Sequence, residues 1–212
     1  EATNFETRSA TLLEVYVPAG AKSGLNTIKL ETYSGKTVTT SIVISGTDPV
    51  VDPSYVFFDF DSKGSWWGSY GAVENDPTLS INGKYFRINQ NLPSGWVDFF
   101  WRNSKNDLKT DGVSVSEWVI KMDVNVLGGK TQEFKFRLNG EDGDFWSIIP
   151  GFENKGDWYT VTIPLSSFVD GDGYGTKHLP NVQNITKDFG LATNGAAGMV
   201  NMCIDNIRFE KL

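Results

Sequence analysis

The chain has 212 residues, 39% apolar and 21% charged, enough for one large domain or two smaller ones with a real core. Its 19 Lys and Arg stand against 26 Asp and Glu, a formal charge of −7 with no basic block to reverse it locally, which argues against nucleic acid and anionic lipid as partners. Cys203 is the single cysteine and His178 the single histidine, so no intrachain disulfide and no zinc-ligand spacing is available, and no run of about 18 apolar residues is present to cross a membrane as a helix.

No charged-then-apolar leader opens the chain, which starts inside what reads as the middle of a β domain, so any secretory signal or lipid anchor is expected to lie upstream. Residues 1–46 contain no Trp and read as a strand meander, with Thr, Val, Ile and Leu concentrated at 10–17, 26–32 and 36–44. Turns fall at Pro18-Ala19-Gly20, Lys22-Ser23-Gly24 and Ser34-Gly35-Lys36. Three short strands cannot bury two sheet faces, so this stretch is expected either to be the trailing half of a sandwich or to lean on the next domain. Residues 47–54 carry Pro49 and Pro53 among Asp48 and Asp52 without periodicity; proline fixes φ and biases its predecessor towards extended backbone, so a stiff linker and a domain boundary are expected there.

From residue 55 the pattern is strand, turn, strand, with strands expected at 55–60, 84–89, 96–102, 117–126, 133–139, 145–149, 158–164, 188–193 and 200–209. Turns such as Asn82-Gly83, Gly128-Gly129 and Asn139-Gly140 separate them, and helical periodicity is missing. The expected fold is all-β, an antiparallel β-sandwich of jelly-roll type over residues 55–212. Alternation sorts the strand faces. In 133–139, Phe134, Phe136 and Leu138 belong to the core while Lys135, Arg137 and Asn139 share the opposite face. In 117–126, Trp118, Ile120, Met122, Val124 and Val126 form one apolar face, which makes Trp118 a core residue. Trp158 receives a structural reading as well.

All seven tryptophans lie between residues 66 and 158. A core hides two or three indoles, each with an N–H that wants a partner, so the others are expected to reach the surface, where the flat apolar face of a pyranose ring matches an indole plane. Trp66 and Trp67 lie in a Gly- and Ser-rich loop. Trp96 and Trp101 bracket Val97-Asp98-Phe99-Phe100 and have opposite parity. Trp146 follows the polar turn Asn139-Gly140-Glu141-Asp142-Gly143-Asp144. The expected ligand site is a coplanar row of these indoles, with Arg102, Arg137, Asn139 and Asp144 orienting sugar hydroxyls.

Two resemblances add to this reading. Val17-Pro18-Ala19-Gly20-Ala21-Lys22-Ser23-Gly24, followed by Asn26-Thr27-Ile28 and Gly35-Lys36-Thr37-Val38-Thr39, resembles the second half of an immunoglobulin-like TIG/IPT domain, a spacer. Phe57-Phe58-Asp59-Phe60-Asp61, Trp158-Tyr159-Thr160-Val161-Thr162-Ile163-Pro164-Leu165 and Cys203-Ile204-Asp205-Asn206-Ile207-Arg208-Phe209 resemble the strand motifs of carbohydrate-binding jelly rolls. Together they resemble the C-terminal part of a surface glycan-binding protein from Bacteroidetes polysaccharide-utilisation loci. The resemblance implies a monomeric, non-catalytic lipoprotein module on the outer membrane, holding a β-glucan such as xyloglucan, mixed-linkage glucan or laminarin for a partner transporter and a surface glycoside hydrolase. It also implies a structural calcium near the first and last strands, for which Asp59, Asp61 and Asp205 would supply hard oxygen ligands.

Two rivals stand beside it. A jelly-roll glycoside hydrolase needs two carboxylates roughly 5 to 9.5 Å apart with one kept protonated, and no acidic pair at strand spacing in an apolar setting is visible. A structural or protein-adhesion module would use the tryptophans to support the two-domain junction.

Overall fold

The computed structural model describes residues 5–9, 12–15, 24–31, 34–44, 55–62, 68–81, 83–102, 108–129, 133–149 and 151–212. The chain divides into two units, residues 1–50 with 79–82, and residues 51–78 with 83–212.

In the first unit β1 (Phe5–Ser9) pairs antiparallel with β2 (Leu12–Val15), and β3 (Gly24–Glu31) with β4 (Thr37–Ile44). The second hairpin closes where Gly35 takes φ +78°, a left-handed conformation glycine adopts without steric cost. Strand content at 26–32 and 36–44 is therefore as expected, whereas β1 has no counterpart in the pattern read from sequence. The two hairpins are separate two-stranded sheets, and their pairing does not by itself identify an immunoglobulin-like domain. The turn at Pro18-Ala19-Gly20 and the linker at 47–54 lie outside the described residues.

The second unit contains β5 (Val56–Phe58), β6 (Ala72–Glu74), β7 (Tyr85–Leu92), β8 (Gly95–Arg102), β9 (Trp118–Gly129), β10 (Phe134–Gly140), β11 (Gly143–Ile149), β12 (Tyr159–Pro164), β13 (Ile185–Gly195) and β14 (Gly198–Lys211). A four-stranded sheet has the order β11-β10-β13-β8; a six-stranded sheet runs β12-β9-β14-β7-β6, with β5 also on β14. Every pairing is antiparallel, as a sandwich of alternating strands requires. The core is phenylalanine-rich: Phe57 meets Phe209 edge to face at 4.3 Å and Phe136 at 6.1 Å, joining strands of the two sheets. On β10, Phe134, Phe136 and Leu138 enter this core, leaving Lys135, Arg137 and Asn139 on the other face. Trp118 packs at the core margin against Tyr55, and Trp158 stands edge-on to Tyr85, both in structural settings.

One irregularity positions the site. Along β8, Leu191 pairs with Phe100 but the next residue, Ala192, pairs with Asp98, so Phe99 is an extra residue in a β-bulge. Val97, Phe99 and Phe100 are all buried in the core as a result, while Trp96, Asp98 and Trp101 take the opposite face. Strict alternation puts Trp96 and Trp101 on opposite faces; the bulge corrects that by resetting the parity between them. The bulged carbonyl is captured from outside the ladder: Ser69 N donates to Phe99 O at 3.1 Å, and Ser69 Oγ donates to Asp98 O at 2.8 Å. Gly68 approaches so closely that a Cβ there would lie 1.8 Å from Phe99 O, which admits no side chain.

Candidate functional site

The register builds a transverse row on the outer face of the four-stranded sheet. Trp146 on β11 pairs with Arg137 on β10, Arg137 with Gly190 on β13, and Gly190 with Trp101 on β8. Gly190 places no side chain in that row, so the Arg137 guanidinium lies over both indoles, 5.1 Å from the Trp101 centroid and 5.2 Å from that of Trp146. Asp144, on β11, grips the guanidinium with both oxygens, Nη2 to Oδ2 being 2.7 Å, and Asp188 lies 3.6 Å from Nη1. In the next row Lys135, Ala192 and Asp98 are in register, and the small Ala192 lets Trp101 and Trp146 pack over the sheet.

Trp101 and Trp146 are each only 3% exposed, but they are covered by one another and their neighbours rather than by the phenylalanine core. Trp96, 41% exposed, completes the cluster, its Nε1 donating to Asp98 Oδ1 at 2.7 Å. Among the described residues the indoles do not form the coplanar row expected from the sequence. Trp146 stands at 90° to Trp96 with centroids 5.1 Å apart, and at 87° to Trp101 at 6.0 Å. The reason is packing: edge-to-face contact satisfies the ring quadrupoles, and Arg137 fills the space a flat row would need. The three indoles, Arg137 and the carboxylates of Asp98, Asp144, Asp172 and Asp188 line a cleft of about 330 Å³. The Trp146 Nε1–H is buried there and donates to no described residue, a cost a fold optimised for stability alone avoids.

Arg102 corrects the expectation. It follows the bulge, turns inward, is buried, and donates from Nη1 to Phe57 O at 2.7 Å with its guanidinium 5.5 Å from the Phe189 centroid. It braces the core and lies off the outer face of the sheet. Asn139 shares the outer face, opposite Asp144, but does not line the cleft. Trp66 and Trp67 lie outside the described residues. Sequence reasoning missed Asp98, Asp172 and Asp188. Asp98 stands two positions from Trp96, and Asp188 two from Gly190, so alternation along β8 and β13 would have found them; Asp172, in a loop, gives no periodic signal.

Among the described residues no group of three potential ligands is placed to hold an ion, and Asp59, Asp61 and Asp205 do not gather into one. Asp59 Oδ1 accepts the Asp61 and Ser62 backbone N–H, and Asp61 Oδ1 accepts that of Lys84. Asp205 is buried, and that burial, with the nearby carboxylates of Asp123, Asp61 and Asp59 adding to it, pushes its carboxyl up to about 9.

A β-sandwich carrying clustered indoles, a fixed guanidinium and carboxylates on the outer face of one sheet is the build of a carbohydrate-binding module. The chain belongs to the surface glycan-binding protein B xyloglucan binding domain family, which it matches over residues 50–211. No curated protein sequence matches it. Among solved structures it is similar to SGBP-B from a complex xyloglucan utilization locus in Bacteroides uniformis, at 20% identity and a TM-score of 0.51, covering 98% of this chain and 62% of that one. It is also similar to the surface glycan-binding protein PbSGBP-B from Prevotella bryantii, at 16% identity and a TM-score of 0.51, covering 76% of this chain and 56% of that one. A third similar structure is the family 30 carbohydrate-binding module of a cellulosomal cellulase of Clostridium thermocellum, at 17% identity and a TM-score of 0.50, covering 74% of this chain and 96% of the module. The chain thus spans less than two thirds of the length of the SGBP-B structures it matches. At these identities the likeness shows the fold, an antiparallel β-sandwich.

Proposed function

We propose that this chain is a non-catalytic binder of a neutral β-glucan of the xyloglucan type, displayed at the cell surface and outer membrane, where it holds polysaccharide for a transporter and a hydrolase. The observation that carries the reading is the transverse row Trp146, Arg137, Gly190 and Trp101 with the exposed Trp96 beside it. Trp96 offers one apolar plane to a sugar ring. The carboxylates of the cleft accept hydrogen bonds from hydroxyls, and Arg137 fixes their positions. Water competes for every hydroxyl, so each bond contributes about 0.5 to 1.5 kcal/mol net and affinity falls in the roughly micromolar to millimolar range. Four aspartates against Arg137 and the nearby Lys135 leave the cleft acidic, which disfavours polyanionic polysaccharides. Catalysis is disfavoured by the same geometry, because Asp144 and Asp188 face Arg137 and Asp98 accepts from Trp96, rather than flanking a free gap in an apolar setting.

Affinity electrophoresis tests this directly. Gels containing xyloglucan should retard the chain, gels containing polygalacturonate should not, and Trp96→Ala should restore free migration while the thermal midpoint stays within a few degrees. Equal migration in xyloglucan, mixed-linkage glucan, laminarin and mannan gels would favour the adhesion reading, and reducing sugar released from any of them would favour the hydrolase.

A further inference from the structure

We propose that Tyr174 is a second sugar-stacking platform, so that the site takes a chain of at least two sugar rings running from Trp96 to Tyr174; the inference rests on the glycan reading above. Tyr174 closes the 3-10 turn Gly171–Gly173 and is 68% exposed, the highest among the exposed Trp and Tyr rings of the described residues. A ring so exposed adds little burial to the fold, yet it is fixed from two sides. Its hydroxyl donates to Glu133 Oε1 at 2.8 Å, and the Lys135 Nζ lies 4.4 Å from its centroid. The same ammonium is 5.9 Å from the Trp96 centroid, so the two rings are separated by at most those two distances together, within the length of a disaccharide. Lys135 itself is only 2% exposed, held by donation from Nζ to Asp172 O at 2.9 Å.

The loop that carries the ring is equally well held. Val169 exchanges backbone hydrogen bonds with Trp146 at 2.8 and 3.0 Å, extending the sheet by one bridge beyond β11. Asp170 O accepts from Gly173 and Gly175, and Asp170 Oδ1 accepts from Lys177 N. Gly173, at φ +92°, lies against β11 so tightly that a Cβ would sit 2.8 Å from Ile148 Cγ1. Asp172 holds φ +57°, a strained conformation for a non-glycine residue, and it lines the cleft beside Trp96. The turn therefore joins the cleft to the exposed ring through two adjacent residues' span. A ring ordered before binding loses little entropy when a sugar stacks on it, which is the economy of rigid aromatic binding surfaces.

Calorimetry with xyloglucan-derived oligosaccharides of increasing backbone length reads the proposal. The wild type should gain affinity as the backbone grows beyond one sugar; Tyr174→Ala should lose roughly five- to tenfold on the longer ligands and nothing on the shortest, and Tyr174→Phe should keep most of the gain. Tyr174→Ala equal to wild type at every length overturns this inference alone. A loss in Tyr174→Phe as large as in Tyr174→Ala places the effect in the hydroxyl and overturns stacking. A wild type that binds no oligosaccharide of any length overturns the glycan reading, and this inference with it.

Discussion

Arg137 does for the binding face what a disulfide does for a loop: it fixes groups that would otherwise choose among many arrangements. Its fork spans Asp144, its charge lies over Trp101 and Trp146, and Asp188 completes the pairing. Lysine would keep the charge and lose both the fork and the planar stacking. Arg137→Lys is therefore expected to weaken xyloglucan binding several-fold by calorimetry. The pair is partly exposed, so the same change should cost the fold only about 1 kcal/mol or less in denaturant titration. The outward placement of Lys135, Arg137 and Asn139 was legible in the alternation of β10 alone. Arg102 was not legible, because a single extra residue upstream inverts its face and no side-chain type announces it. Cys203 behaves as its apolar neighbours in the sequence imply: it is buried, and burial pushes its thiol up to about 12, leaving no thiolate near neutral pH.

At the scale of elements, β8 and β14 carry the irregularities that matter. The bulge at Phe99 gathers Trp96, Asp98 and Trp101 on one face. On β14 the register breaks between Asp205 and Arg208, with Asn206 at φ +53°. Just before that break two carboxylates stand opposite each other. Asp123 accepts from Arg208 Nη1 at 3.0 Å, Asn206 Nδ2 at 3.0 Å and Thr160 Oγ1 at 2.6 Å, while its cross-strand partner Asp205 is kept protonated. The folded state binds a proton that the unfolded chain releases near its ordinary value of 3.8, so the stability this group lends is complete below that pH. It is lost as pH rises towards about 9. The thermal midpoint of the wild type should fall between pH 5 and pH 9, and Asp205→Asn, which cannot ionise, should flatten that slope; parallel curves for the two proteins would refute the assignment. Strand positions were legible because Val, Ile, Phe and turn residues alternate cleanly, whereas bulges depend on cross-strand pairing that one strand's sequence does not contain.

At the scale of the molecule, the excess of acidic over basic residues and the concentration of tryptophan in the second unit are legible in the sequence and disfavour a polyanionic ligand. The perpendicular geometry of the indoles was not readable, since ring orientation follows from which neighbours fill the intervening space. That geometry makes the proposal specific: the proposed glycan surface is the outer face of the four-stranded sheet, with Trp118 and Trp158 in structural settings elsewhere. The most direct measurement is a titration of the seven indole N–H resonances with a xyloglucan oligosaccharide by nuclear magnetic resonance. The account predicts that the signals of Trp96, Trp101 and Trp146 move together with ligand while those of Trp118 and Trp158 stay in place. Shifts confined to Trp118 or Trp158, with the cluster on the sheet unmoved, would contradict it.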